Sequence, residues 1–71
     1  MEKIRVWRIG RAISIDEAGS LVGVSGVQWH RYESGKRRVP AEKVQAISKI
    51  TGIPPHEIRP DVFQQHSGAA P

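Results

Sequence analysis

Apolar residues recur along this chain at helical spacings, punctuated by serine, glycine and proline, and no stretch alternates as a strand does. Val6, Ile9 and Ile13 fall at i, i+3 and i+7, which predicts a first helix from about Glu2 to Ala12 with these three as its inward stripe. Trp7 lies beside the stripe, placed to close the edge of the core. A second helix is expected from Ile15 to Val22 and a third from Gly26 to Ser34. Pro40 stands at the first position of a fourth helix, where its missing N–H costs nothing, and Val44, Ile47 and Ile50 form that helix's core side. Gly23, Gly35 and Gly52 follow the second, third and fourth helices, where a left-handed residue ends a helical run. Pro54-Pro55 opens a short final helical turn through Ile58, stopped by Pro60. The small polar segment from Gln64 to Pro71 is expected to be a disordered tail. The fold class is therefore all-α, a compact domain of four to five helices over residues 1–63, without internal repeats.

The second and third helices carry their own start signals. Ser14-Ile15-Asp16-Glu17 and Ser25-Gly26-Val27-Gln28 both read as capping boxes, in which the serine oxygen takes an N–H left over in the first turn. Gly23 lies between them, where only glycine turns left-handed without a steric penalty. Two short helices joined by such a turn make a helix-turn-helix, whose second helix is free to lie against DNA.

Composition narrows the function. A chain of 71 residues forms one small domain that buries about 60% of its unfolded surface, so no deep catalytic cleft is expected. Its 38% apolar content suits a thin helical core. The absence of cysteine excludes a disulfide framework and any thiolate zinc site, and fits a reducing cytosol. No apolar run approaches the ~20 residues of a membrane span, and Lys3, Arg5, Arg8 and Arg11 interrupt the N-terminal segment where a signal peptide needs an unbroken apolar core. The net charge of +4 favours a polyanionic partner, through attraction and the release of condensed counterions.

Within the third helix, a period of 3.6 residues sets Trp29 and Tyr32 on an inward face and Gly26, Val27, His30 and Arg31 on an outward one. The two aromatic residues are read as core packing rather than as base-stacking groups. Arg31 is the foremost candidate base reader, since a guanidinium bonds guanine O6 and N7 together in the major groove; a phosphate contact or a solvated surface arginine are its alternatives. His30 is either a donor to a base or phosphate or a plain surface histidine. Gly26 and Val27 lack long polar side chains, which lets the helix approach DNA closely and sets Val27 against a thymine methyl unless it is a surface hydrophobe of no consequence. Ser14 and Ser25 are candidate phosphate contacts at helix starts, and Lys36, Arg37 and Arg38 follow the third helix as a basic loop along the backbone.

These motifs carry a family resemblance across most of the chain. Gly23-Val24-Ser25, the run His30-Arg31-Tyr32-Glu33-Ser34-Gly35-Lys36-Arg37-Arg38-Val39-Pro40 and their spacing resemble the Cro/cI-type helix-turn-helix repressors. Val39 to Val44, Thr51-Gly52-Ile53 and Ile58 to Phe63 are similar to small Cro-like and YdaS-type regulators of prophages. The resemblance implies a lambda-repressor-like domain whose third helix reads the major groove. It also implies a pair between Glu33 and Arg8 that ties helix 1 to the end of helix 3. Two departures from the family's pattern stand out: Ile15 replaces a frequent glutamine, and Gly26-Val27 replace residues that are often polar. Gln28 occupies a position where the family has a small residue facing helix 2; it either stays there or swings outward to join the readout. Family members pair on two-fold sites, and a homodimer is expected here through apolar residues at the C-terminal end of the fold: Ile53, Ile58, Val62 and Phe63, some of which must also close the protomer's own core.

An enzyme is not expected. His30, His56 and His66 lack metal-ligand spacing, there is no glycine-rich phosphate loop, and no carboxylate pair has a reason to share a pocket. No metal and no cofactor are expected. The favoured expectation is a cytoplasmic, nucleoid-associated repressor in a bacterial or phage-infected cell, occupying a double-stranded DNA operator. Two alternatives stand beside it: an antitoxin-type autoregulator that also binds a toxin or other protein partner, and an interaction module without DNA affinity. No membrane association is expected.

Overall fold

Local signals set most of the helix boundaries. The computed structural model describes residues 1–63, and its helices are α1 (Glu2–Gly10), α2 (Ile15–Leu21), α3 (Gly26–Ser34), α4 (Ala41–Thr51) and α5 (Pro55–Ile58). Gln64 to Pro71, the expected tail, lies outside the described residues. No strand occurs among the described residues, and the fold is all-α.

Ser14 forms a complete capping box: its hydroxyl accepts from the Glu17 N–H at 3.0 Å, while the Ser14 N–H donates to Glu17 Oε1 at 3.2 Å. Ser25 forms half of one, accepting from the Gln28 N–H at 3.1 Å. The left-handed glycines Gly23, Gly35 and Gly52 have φ of 74°, 78° and 77°. Pro40 is the N-cap of α4 rather than its first helical residue, with ψ of 145°.

Helix α1 departs from expectation in its end and in its face. It stops at Gly10, and Ala12 takes a left-handed φ of 55° in the turn towards α2. Val6 and Ile9, expected inward, are 58% and 53% exposed, whereas Ile4 is fully buried. Apolar residues stand on both sides of this helix, so periodicity alone does not select the buried one. The inward face is instead Ile4, Trp7 and Arg8, an i, i+3, i+4 set whose arginine hides it from a count of apolar residues. Arg8 turns inward because a buried carboxylate awaits it (below). Arg11 packs its guanidinium carbon 5.8 Å from the centre of the Trp7 ring. Ile13 is half-buried against the core.

Trp29 is the largest fully buried side chain, surrounded in the core by Ile4, Ala18, Val22, Tyr32, Val39, Val44, Ile47 and Ile58. Trp7 meets it in a tilted pair with ring centres 6.2 Å apart. Ile58 is only 7% exposed, and Ile53 and Phe63 pack against the same core. Closing the protomer thus occupies three of the four residues expected at a dimer contact, and leaves Val62, 46% exposed, facing solvent.

Candidate nucleic-acid interface

Helix α2 packs closely against the turn and the first residue of α3. A Cβ added to Gly19 would lie 2.7 Å from the Val24 carbonyl oxygen and 2.9 Å from that of Ser25, both fixed main-chain atoms. A Cβ on Gly26, the first residue of α3, would collide with Asp16 Oδ1 and come within 3.4 Å of Asp16 Cα. Two missing side chains therefore bring the helices together and fix how α3 projects.

What α3 buries is held by a polar network at its C-terminal half. Glu33 is 7% exposed and accepts from Arg8 twice, from Nε at 2.6 Å and from Nη2 at 3.3 Å. The Trp29 indole N–H donates to the same carboxylate, and Arg8 Nη1 reaches the Ile13 carbonyl at 3.1 Å. Burial by itself pushes the Glu33 carboxyl up, but the hydrogen bonds from Arg8 and Trp29 and the Arg8 charge outweigh it and hold the group below its ordinary value. The bonds to Glu33 and its charge hold Arg8 above its own. This forked pair locks α1 against α3, and with it the angle at which α3 stands.

The opposite face of α3 is open. Val27 is 62% exposed, and His30 and Arg31 are exposed beside it; Gly26 is half-buried at the helix start. Gln28 departs from this set. It is half-buried, and its Oε1 is withdrawn from solvent without a hydrogen-bond partner. Ser25 spends its hydroxyl on the cap of α3 and Ser14 on that of α2, while both residues stay exposed.

Beyond the Gly35 cap, the Arg37 N–H donates to the Arg31 carbonyl at 3.3 Å and folds the basic loop back along α3. Lys36, Arg37 and Arg38 are all exposed. Arg38 is 3.2 Å from Asp61, which Arg59 also grips through a fork of 2.8 and 2.7 Å. Those hydrogen bonds, chiefly from Arg59, hold the Asp61 carboxyl down to about 2. Arg38 consequently shares its charge, while Lys36 and Arg37 form no ion pair with the described residues.

Lys43 was not legible as part of this arrangement. From α4 its Nζ donates 3.0 Å to the carbonyl of Val22, the C-cap of α2. Only its place beside Val44 in the inward pattern hints at it, because a contact across 21 residues leaves no local signal.

Among the described residues, no group of histidine, aspartate and glutamate could hold a metal ion. His30 and His56 are on different helices, α3 and α5, and His66 is outside the described residues. No helix among the described residues is long and apolar enough to cross a membrane.

The helix-turn-helix domain family matches residues 2–60, from the start of α1 past the end of α5. The chain belongs to the helix-turn-helix domain family, a class of DNA-binding regulators, and DNA is accordingly its partner. No curated protein and no solved structure matches it.

Proposed function

We propose that the protein is a sequence-specific repressor of the Cro-like prophage type, without enzymatic activity, that lays α3 in the major groove of an operator. The observation that carries this reading is the division of α3. Trp29, Tyr32 and Glu33 are buried, whereas Val27, His30 and Arg31 share an exposed edge beside Lys36 and Arg37. In this reading Arg31 is the main base reader, His30 and Val27 flank it, and the loop residues position the domain on phosphates. Ser14 and Ser25 contribute at the helix starts, through backbone N–H groups more than through hydroxyls already engaged in caps.

One such helix covers only a few base pairs, so the working unit is a homodimer with recognition helices about 34 Å apart on DNA. With Ile58 committed to the core, Val62 is the exposed apolar residue of the expected contact. A dimer built on so small a patch is completed on DNA rather than in free solution. Selection from a random duplex pool, followed by the stoichiometry of the bound complex, tests this. A symmetric motif holding two protomers is expected; one protomer on an asymmetric site contradicts it.

The exposed pair Val6 and Ile9 on α1 favours a second reading, an antitoxin-type autoregulator with a protein partner. A stable complex that forms without DNA and is lost in Val6→Ser/Ile9→Ser distinguishes it.

A further inference from the structure

The exposed edge of α3 lacks a polar side chain at the very residue that would enter a groove first. Position 26 is glycine, and the next residue is the apolar Val27. That space is nevertheless occupied. A Cβ at Gly26 would collide with Asp16 Oδ1 and lie 3.0 Å from Asp16 Cγ, so the carboxylate of Asp16 fills the volume that a side chain at position 26 would take. Asp16 is carried on the first turn of α2, is exposed, and forms no ion pair or side-chain hydrogen bond with the described residues. On a chain of net charge +4, an acceptor-only group stands unpaired at the leading end of α3.

We propose that Asp16 is a specificity residue supplied to the reading edge from the neighbouring helix. Its carboxylate accepts a hydrogen bond from an exocyclic amino group in the major groove, cytosine N4 or adenine N6, at the base pair facing the start of α3. A carboxylate has no donor, so guanine O6 and N7 or thymine O4 at that position leave it desolvated and unpaired, and a phosphate is repelled. Contact and exclusion therefore select the same bases. Packing holds the group in place: Asp16 lies in the first turn of α2 and against the first residue of α3. The reading rests on α3 being the helix that enters the groove.

The shape-conserving variant Asp16→Asn tests it, since it keeps the fit against Gly26 while it removes the charge and turns one acceptor oxygen into an amide donor. Wild type, Asp16→Asn and Arg31→Ala are each put through selection from a random duplex pool, with folding verified by circular dichroism. Affinity for the selected duplex and for an unrelated one is then measured by fluorescence anisotropy. The wild-type motif is expected to show cytosine or adenine at one position. In Asp16→Asn that preference changes, cytosine losing its advantage and guanine or thymine being admitted by the amide donor, with the remaining positions intact. Affinity for the unrelated duplex is expected to rise about three- to tenfold once a charge facing phosphate is removed. An unchanged motif with affinities within twofold of wild type overturns the proposal. If Arg31→Ala alters the motif while Asp16→Asn does not, the groove reading of α3 stands and only the role of Asp16 fails. If wild type selects no motif at all, the groove reading fails and takes this proposal with it.

Discussion

Lys43 caps a helix to which it does not belong: its ammonium lies 3.0 Å from the carbonyl of Val22 at the end of α2. The last turn of α2 has no basic residue of its own, so its negative end is met by a cation from α4. The tie fixes the turn of the helix-turn-helix to the far side of the domain. Lys43→Met, which keeps the stem and deletes the charge, is expected to lower stability by about 1.5–2 kcal/mol, the lower part of the range for a hydrogen bond to a charged group, because the site is half-exposed. Denaturant unfolding followed by tryptophan fluorescence measures it, and an unchanged midpoint refutes it.

Trp29 is fully buried and bonded to Glu33, so Trp29→Ala removes the centre of the core and one partner of the carboxylate. A loss of about 3–5 kcal/mol is expected, a large share of the stability of a small domain. A variant that melts like the parent contradicts this packing.

The Glu33 network gives stability a pH dependence. The folded carboxyl titrates below its ordinary value of 4.5, so the folded state binds this proton less readily than the unfolded chain. The associated stabilisation is complete above 4.5 and is lost as pH falls from there through the lower folded value. Glu33→Gln strands Arg8 and is expected to cost about 3 kcal/mol at neutral pH, while flattening the acid limb of the stability curve. Chemical unfolding from pH 7 to 3 reads both effects; an equally steep acid limb in the variant assigns the titration elsewhere.

Ala12 holds a left-handed φ of 55° that a Cβ disfavours. Ala12→Gly relieves the strain while freeing the unfolded chain, for a net gain of about 0.5–1 kcal/mol. Thermal melts decide the sign, and a lower midpoint means that the turn is better set by alanine.

On DNA, Arg31→Ala is expected to lower specific affinity by about 1–3 kcal/mol and to relax preference at one base pair. Replacing Lys36, Arg37 and Arg38 together is expected to weaken binding to every sequence and flatten the salt slope by up to about 3 units. Anisotropy titrations at several salt concentrations separate the two. A motif unchanged by Arg31→Ala removes that residue from the readout.

Legibility in the sequence followed the distance over which each feature is decided. The limits of α3 and the left-handed glycines 23, 35 and 52 are decided within a turn of chain, and serine and glycine announce them. The face of α1 is decided by its partners. Ile4 and Arg8 point inward because Trp29 and Glu33 lie there, and a stripe counted on α1 alone selects Val6 and Ile9 instead. Gln28 shows the same limit: position on the wheel left two directions open, and in the fold the amide oxygen is withdrawn from solvent. Lys43 and Asp16 both act on a helix other than their own, and no spacing rule reaches across such a gap.

The glycine contacts between α2 and α3 bear on how such a domain can evolve. The crossing is set by atoms every residue possesses, with Gly19 against the carbonyls of Val24 and Ser25. The exposed positions Val27, His30 and Arg31 take no part in it. A lineage can therefore exchange those three freely, one at a time, and remain folded at each step, so new targets are reachable through viable intermediates. Gly19 has no such latitude, because even one methyl group there meets main chain that cannot step aside.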